Sequence, residues 1–381
     1  RQMCIRDRIR TGKVVTLKDA EVLEGRYLVI DGDRIVDITS KRPDKADEID
    51  ASKLWVLPSF IDLSTALGLA EEGAGFNYYD ADEATNPSLP HLRAIDAFYP
   101  KDIGIQDAIK GGVSYYVSSP GNSAVFSGFS GLFTSKGSTA DEMVKKFPYS
   151  LKINMNYSSR ARWRSEGKYP STKMGVMALV REKFERAKLY AKKKEKEIDL
   201  EMEALTKALN REIPVTISVN TRDEIERAIE LKRDYNLNVI LEEAEDSFTL
   251  AELIKKEEIP IIVGPYFVAG RMYHQRHHYA KYAYKLYEAR IIFALTTMHP
   301  TVPIHFLYHQ SVLFVKLGMP EIDALKTISL NPAIIAGLDR EVGTIEVGKK
   351  ASLVFLSDAP YTLYSDVVGH MIEGEMVWKK F

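Results

Sequence analysis

Two histidines four residues apart, His305 and His309, would share one face of a helix and have the spacing of a metal-gripping pair. No glutamate stands between them to serve as the base of an H-E-x-x-H motif, so a structural use is expected for both. His274, His277 and His278 cluster in the tyrosine-rich stretch Arg271 to Tyr287, where packing and partner contact are plainer readings than a metal site. Nucleophilic chemistry has little to work with. Cys4 is the only cysteine and lies near the start of the chain, which excludes an intramolecular disulfide and argues against thiol catalysis. Gly343-x4-Gly348-Lys349 has the spacing of a phosphate-binding loop, yet Lys350 replaces its Ser/Thr and β-type sequence follows, so no phosphate cradle is expected. The run Ser118-Ser119-Pro120-Gly121-Asn122-Ser123 could offer backbone groups to a polar ligand, and turn chemistry explains it equally well.

These residues must be positioned by a chain of 381 residues whose 52 Lys+Arg and 53 Asp+Glu give a formal charge of -1. That balance lacks the basic excess that nucleic-acid binding needs, so no nucleic-acid partner is expected. Hydrophobic residues at 45% and charged residues at 28% suit a globular chain with a sizeable core. The longest charge-free apolar stretch, Ile259 to Gly270, falls short of the ~20 residues of a membrane-spanning helix, so no span is expected. The opening RQMCIRDR lacks an initiator methionine and reads as sequencing-adapter text. Residues 1–8 are therefore expected to be a non-native leader, with the true N-terminus missing and bacterial cytoplasm and periplasm both open as compartments.

From Gly12 to Leu57 the pattern is of short β-rich runs, with Asp31-Gly32 as a hairpin turn, and the same texture returns from Ser352 to Trp378. The two ends, residues 9–57 and 338–381, are expected to pair as one composite β-sandwich. Between them, apolar runs alternate with amphipathic helical segments. Eight strands are expected: Pro58 to Asp62, Val113 to Ser118, Phe129 to Thr134, Leu151 to Asn154, Val215 to Val219, Val239 to Glu243, Ile259 to Gly264 and Ile291 to Thr296. Eight such units over residues 58–337 suggest an α/β fold, a (β/α)₈ TIM barrel, with any chemistry at strand C-terminal ends.

Three stretches then carry a family likeness. Pro58-Ser59-Phe60-Ile61-Asp62-Leu63-Ser64-Thr65-Ala66 lies over P-G-F-I-D-x-H-x-H; Glu83-Ala84-Thr85-Asn86-Pro87 with Pro90-His91-Leu92-Arg93-Ala94-Ile95-Asp96 lies over N-E-A-T-D-P and P-H-L-R-A-I-D; Gly343-Thr344-Ile345-Glu346-Val347-Gly348-Lys349-Lys350-Ala351 lies over G-x-I-E-x-G-K-x-A. From about Gly12 to Lys379 the chain resembles the amidohydrolase superfamily, most closely its imidazolonepropionase-like branch. The resemblance implies hydrolysis of C–N bonds by water held on one or two divalent metals, with strand-end histidines and an aspartate as ligands. The positions of those ligands read Ser64 and Ala66 on strand 1, Ser218 and Asn220 on strand 5, Glu243 on strand 6 and Met298 on strand 8. A degenerate member without its metal is therefore expected, with no cofactor.

The remaining candidates for chemistry are weak. Lys152 stands where some relatives carry a metal-bridging lysine, Glu243 offers a single carboxylate, and His299 follows the lost aspartate near the barrel mouth. Asp80, Asp82 and Glu83 are placed on a loop near the mouth without catalytic duty. The expected function is a silent barrel acting as subunit, scaffold or small-molecule binder, with a catalytic amidohydrolase paralogue or a second copy of itself as partner. Tyr273, Tyr279, Tyr282, Tyr284 and Tyr287, interleaved with Arg271, Arg276, Lys281 and Lys285, are the suggested contact surface. The alternative is a hydrolase of cyclic amides or peptide-like bonds using an unconventional centre of Lys152, Glu243 and His299.

Overall fold

The computed structural model of the chain describes residues 6–19, 21–43, 47–71, 79–268 and 277–381. Five strands open it: β1 (Arg6–Val15), β2 (Val22–Glu24), β3 (Tyr27–Asp31), β4 (Arg34–Thr39) and β5 (Asp47–Pro58). Three close it: β14 (Leu353–Leu356), β15 (Val367–Ile372) and β16 (Glu375–Lys379). They form one continuous sheet, ordered β16-β15-β14-β5-β1-β3-β4 with β2 on β1, joined across the chain ends where β14 runs antiparallel to β5. The sheet folds over a core of its own, to which Ile9, Leu28, Ile35 and Val56 come from one end and Leu353, Phe355 and Met371 from the other. The expected union of the termini is present. Arg6 to Arg8, set aside as leader, belong to β1, and Arg8 is buried against Glu48 at 2.6 Å. Residues 1–5 lie outside the described residues.

The central eight strands are β6 (Phe60–Thr65), β7 (Val113–Ser118), β8 (Phe126–Thr134), β9 (Val144–Asn154), β10 (Val215–Val219), β11 (Val239–Glu243), β12 (Ile261–Val263) and β13 (Phe293–Leu295). All eight expected strands exist, in sequential order around a nearly closed barrel. One feature corrects the sequence reading: β8 is antiparallel to both β7 and β9, so the third strand does not direct its C-terminal end to the mouth. A loop of a few residues and a one-turn helix, Ala140–Met143, make the two connections, too little chain for parallel crossovers. The β6–β13 seam is bridged by backbone, with Leu295 N donating to Thr327 O and Ile61 N to Ile328 O.

Alternation along the strands sorts the side chains into two cores. Ile61, Leu63, Tyr115, Val117, Leu132, Tyr149, Ile240, Ile262 and Ala294 fill the barrel interior. Outward positions of the strands, such as Ile153, Ile217, Leu241 and Phe293, belong to the larger core shared with the surrounding helices. Among the described residues no helix is long and apolar enough to cross a membrane.

Candidate functional site at the barrel mouth

Above the apolar interior the inward positions become polar: Ser150-x-Lys152-x-Asn154 on β9, Thr216-x-Ser218-x-Asn220 on β10 and its extension, and Glu242 on β11. Period-2 alternation puts Ser218 opposite Glu242 in the register of the parallel pair, so they share a layer. Glu242 is wholly buried and is the hub of that layer. Its Oε1 accepts from Ser64 Oγ at 2.5 Å, and its Oε2 accepts from Ser218 Oγ and from Lys152 Nζ, the latter an ion pair between two buried side chains. Burial pushes the Glu242 carboxyl up, but the Lys152 ammonium and the Ser218 and Ser64 hydroxyls outweigh it and hold the group below its ordinary range.

Beside this hub, Asp62 of the P-S-F-I-D stretch clamps the barrel seam. It is fully buried and accepts from Ser64 N, Thr296 Oγ1, Thr297 N and Thr297 Oγ1 at 2.6 to 3.2 Å. Burial raises its carboxyl to about 6 against those four donors.

Glu243, the residue that the family likeness placed at a ligand position, belongs to another layer. With φ of +65° and Ala244 at +42°, the backbone turns sharply at the end of β11. The half-buried Glu243 side chain is held by amides: Asn220 Nδ2 at 2.6 Å, Asn156 Nδ2 at 2.9 Å and Asn122 Nδ2 at 3.5 Å. Among the described residues no ammonium forms an ion pair with it, and Lys152 acts on it only from a distance. Burial therefore dominates and raises it to about 7.

His299 is 1% exposed, and neither ring nitrogen has a hydrogen-bond partner among the described residues. Its Nε2–Cε1 edge lies against the helix Ile103–Lys110, where a Cβ on Gly104 would come within 2.9 Å of Nε2. Burial keeps the ring neutral by lowering it to about 4. Lys152, Glu243 and His299 thus face three different sets of partners, and no hydrogen bond joins any two of them. His305 lies in a short 3-10 turn, Ile304–Phe306, 3.8 Å from Asp107, and His309 lies in the helix that follows, Leu307–Lys316. His277 pairs with Asp246 at 2.5 Å and His278 with Glu245 at 2.9 Å, while His274 falls outside the described residues. Burial opposes the charged form of His278, but Glu245 and the Pro265 carbonyl raise it above its usual value.

Other expectations resolve similarly. After Gly348, Lys349 Nζ donates to Asp339 O and Thr344 Oγ1 and β14 follows, so the phosphate-loop spacing has no helix to serve. Of the proposed aromatic surface, Tyr282 stacks on Phe248, Tyr287 donates to Asp323, Tyr284 packs on the core, and Tyr279 is 41% exposed. Arg271, Tyr273 and Arg276 lie outside the described residues.

A cavity of about 300 Å³ opens on the β6, β7 and β13 side of the mouth. Ser64, Lys152, Met298 and His299 line it together with the Ser119-to-Ser123 loop. That loop is pinned: Asp82 accepts from Ser123 N and Oγ, and Trp163 Nε1 donates to Ser123 O at 3.0 Å. Asp82 therefore has a definite task, whereas Asp80 and Glu83 do not reach this cavity's lining. The sequence reading missed Glu242 and the role of Asp62. The polar alternation on β9 and β10, continued in phase onto β11, is the signal that would have separated Glu242 from Glu243.

The fold and the donor set can now be set beside known proteins. The amidohydrolase family model matches residues 290–377, from the last barrel strand into the terminal sheet. An amidohydrolase from Thermotoga maritima MSB8 superposes with a TM-score of 0.94 at 27% identity, covering 98% of this chain and 99% of that one. A β-aspartyl dipeptidase from Fervidobacterium islandicum AW-1, in complex with a β-Asp-Leu dipeptide, gives 0.57 at 13% identity over 99% and 97%. A zinc-bound adenosine deaminase from Xanthomonas campestris gives 0.53 at 14% over 98% and 93%. No curated protein sequence matches. The family-model match and the structural neighbours support a place for this chain in the amidohydrolase superfamily.

A divalent metal, which that superfamily implies, does not fit the described residues. Among the described residues no group of three His, Cys, Asp or Glu side chains converges as a ligand set. The hub carboxylate, Glu242, is already engaged by an ammonium and two hydroxyls, and hydroxyl or amide oxygens alone suit zinc or iron poorly.

Proposed function

We propose that this chain is a metal-independent, catalytically silent amidohydrolase-fold protein of the imidazolonepropionase-like branch, which works by binding rather than by activating water. The observation that supports it is the Lys152–Glu242 pair. An ammonium and its counter-ion stand among Ser64 and Ser218, at strand ends where the family resemblance calls for metal ligands. The mouth cavity, polar and open to solvent, suits a small-molecule ligand, and a catalytic paralogue or a second copy of the chain is the proposed macromolecular partner. A hydrolase reading draws on Glu243, whose carboxyl near 7 is suited to a general base. Both Glu243 oxygens, however, already accept amide hydrogens. Turnover assays of the purified chain with dipeptides and cyclic amides, with and without added zinc or manganese, test the proposal. It expects no hydrolysis above background in any mixture, and metal-stimulated turnover would overturn it.

A further inference from the structure

Three donors from three strand ends converge on one buried carboxylate: Ser64 of β6, Ser218 of β10 and Lys152 of β9 meet Glu242 of β11. Two of the donors are neutral hydroxyls, which donate hydrogen bonds to Glu242 but carry no charge to offset its own. Only the ammonium balances it. A buried carboxylate without a counter-charge is costly and must take either a cation or a proton, as the raised carboxyl of Asp62 shows, so this receptacle favours a cation. Its geometry suits an ammonium, which donates hydrogen bonds, rather than a metal, which needs several anionic or imidazole ligands that the described residues do not bring together.

We infer that the Lys152 ammonium is the resident cation of this barrel, a tethered ligand occupying a receptacle of Glu242, Ser64 and Ser218, and that the receptacle will accept a free primary alkylammonium when the tether is cut. Lys152 is 2% exposed yet lines the mouth cavity of about 300 Å³, so the space its side chain fills is continuous with a solvent-open route. Truncation to alanine removes Cγ, Cδ, Cε and Nζ, the atoms of propylammonium. The cation joins β9 to a carboxylate that also gathers β6 and β10, so its loss is felt as stability. The inference rests on the metal-free reading of the barrel, but its readout is amine rescue rather than turnover, so the two can fail separately.

The test is thermal melting of full-length Lys152→Ala with propylammonium, with 1-propanol as the uncharged match and with zinc. Lys152→Ala is expected to melt about 10 °C below wild type. Propylammonium should restore a substantial part of that loss. Propanol and zinc should not, and neither wild type nor Lys152→Ala/Glu242→Leu should respond to the amine. If Lys152→Ala is recovered only as insoluble protein, refolding yield with and without propylammonium becomes the readout, with an amine-dependent yield expected. Equal effects of amine and propanol, rescue by zinc, an equal amine response in the double variant, or an amine-independent refolding yield would each overturn the inference.

Discussion

Glu242 and Glu243 are adjacent in sequence and live in opposite environments. The inner cluster gives Glu242 a formal counter-charge within a buried layer, and its carboxyl is held below the ordinary range. The outer cluster gives Glu243 amide donors in direct contact and no ion pair, while burial and the neighbouring Glu242 and Glu245 charges outweigh the more distant Lys152, and its carboxyl rises to about 7. Burial works in the same direction on both. What separates them is whether a full charge or a partial one answers it, and a one-residue step along a strand decides that by sending successive side chains to different layers.

The comparison can be broken most forcefully at Glu242. Glu242→Ala leaves the Lys152 ammonium buried without its partner and is expected to cost about 3–5 kcal/mol in denaturant unfolding. A cost under about 1 kcal/mol would mean that the pair is not what holds the inner layer. Ser218→Ala keeps both charges and removes one hydroxyl donor to a carboxylate, for an expected loss of about 1.5–3 kcal/mol by the same measurement.

The outer cluster answers to pH instead. Because the folded protein holds the Glu243 proton more tightly than the unfolded chain does, its contribution to stability falls as pH rises from the ordinary value of 4.5 to about 7. Glu243→Gln does not titrate, so its stability relative to wild type should improve across that window, by about 1–2 kcal/mol once partial exposure is discounted. Unfolding curves at the two ends of the window check this; a constant difference would place Glu243 in the same class as Glu242. The smallest effect is expected at Asn122, whose amide reaches Glu243 only at 3.5 Å. Asn122→Ala should change stability by no more than about 0.5 kcal/mol, and a larger loss would show that the outer cluster depends on that contact.

Much of the scaffold was legible because its signals are local. β-branched runs with turn residues between them marked all eight barrel strands, and the matching texture of the two ends indicated that they would pair. The direction of β8 was not legible, because strand propensity carries no orientation and only the short connections on either side of it impose one. The site was harder to read. Motif likeness assigned ligand positions, Glu243 among them, whereas the carboxylate at the hub of the inner layer is its neighbour Glu242. Ser64 and Ser218 read as bare losses in the sequence, whereas in the fold both donate to one carboxylate. His299 looked like an open polar contact, but its Nε2–Cε1 edge turns to Gly104, which no spacing in the sequence could reveal. Asp62 was quoted within a motif without a role because its four donors come from residues 64, 296 and 297, far apart in sequence.

Elemental analysis of the purified full-length chain, after exposure to excess zinc and removal of free metal, tests the central claim most directly. A barrel centred on Lys152 and Glu242 should retain far less than one zinc, manganese or iron per chain. One tightly held ion per chain would contradict that account and restore the hydrolase reading.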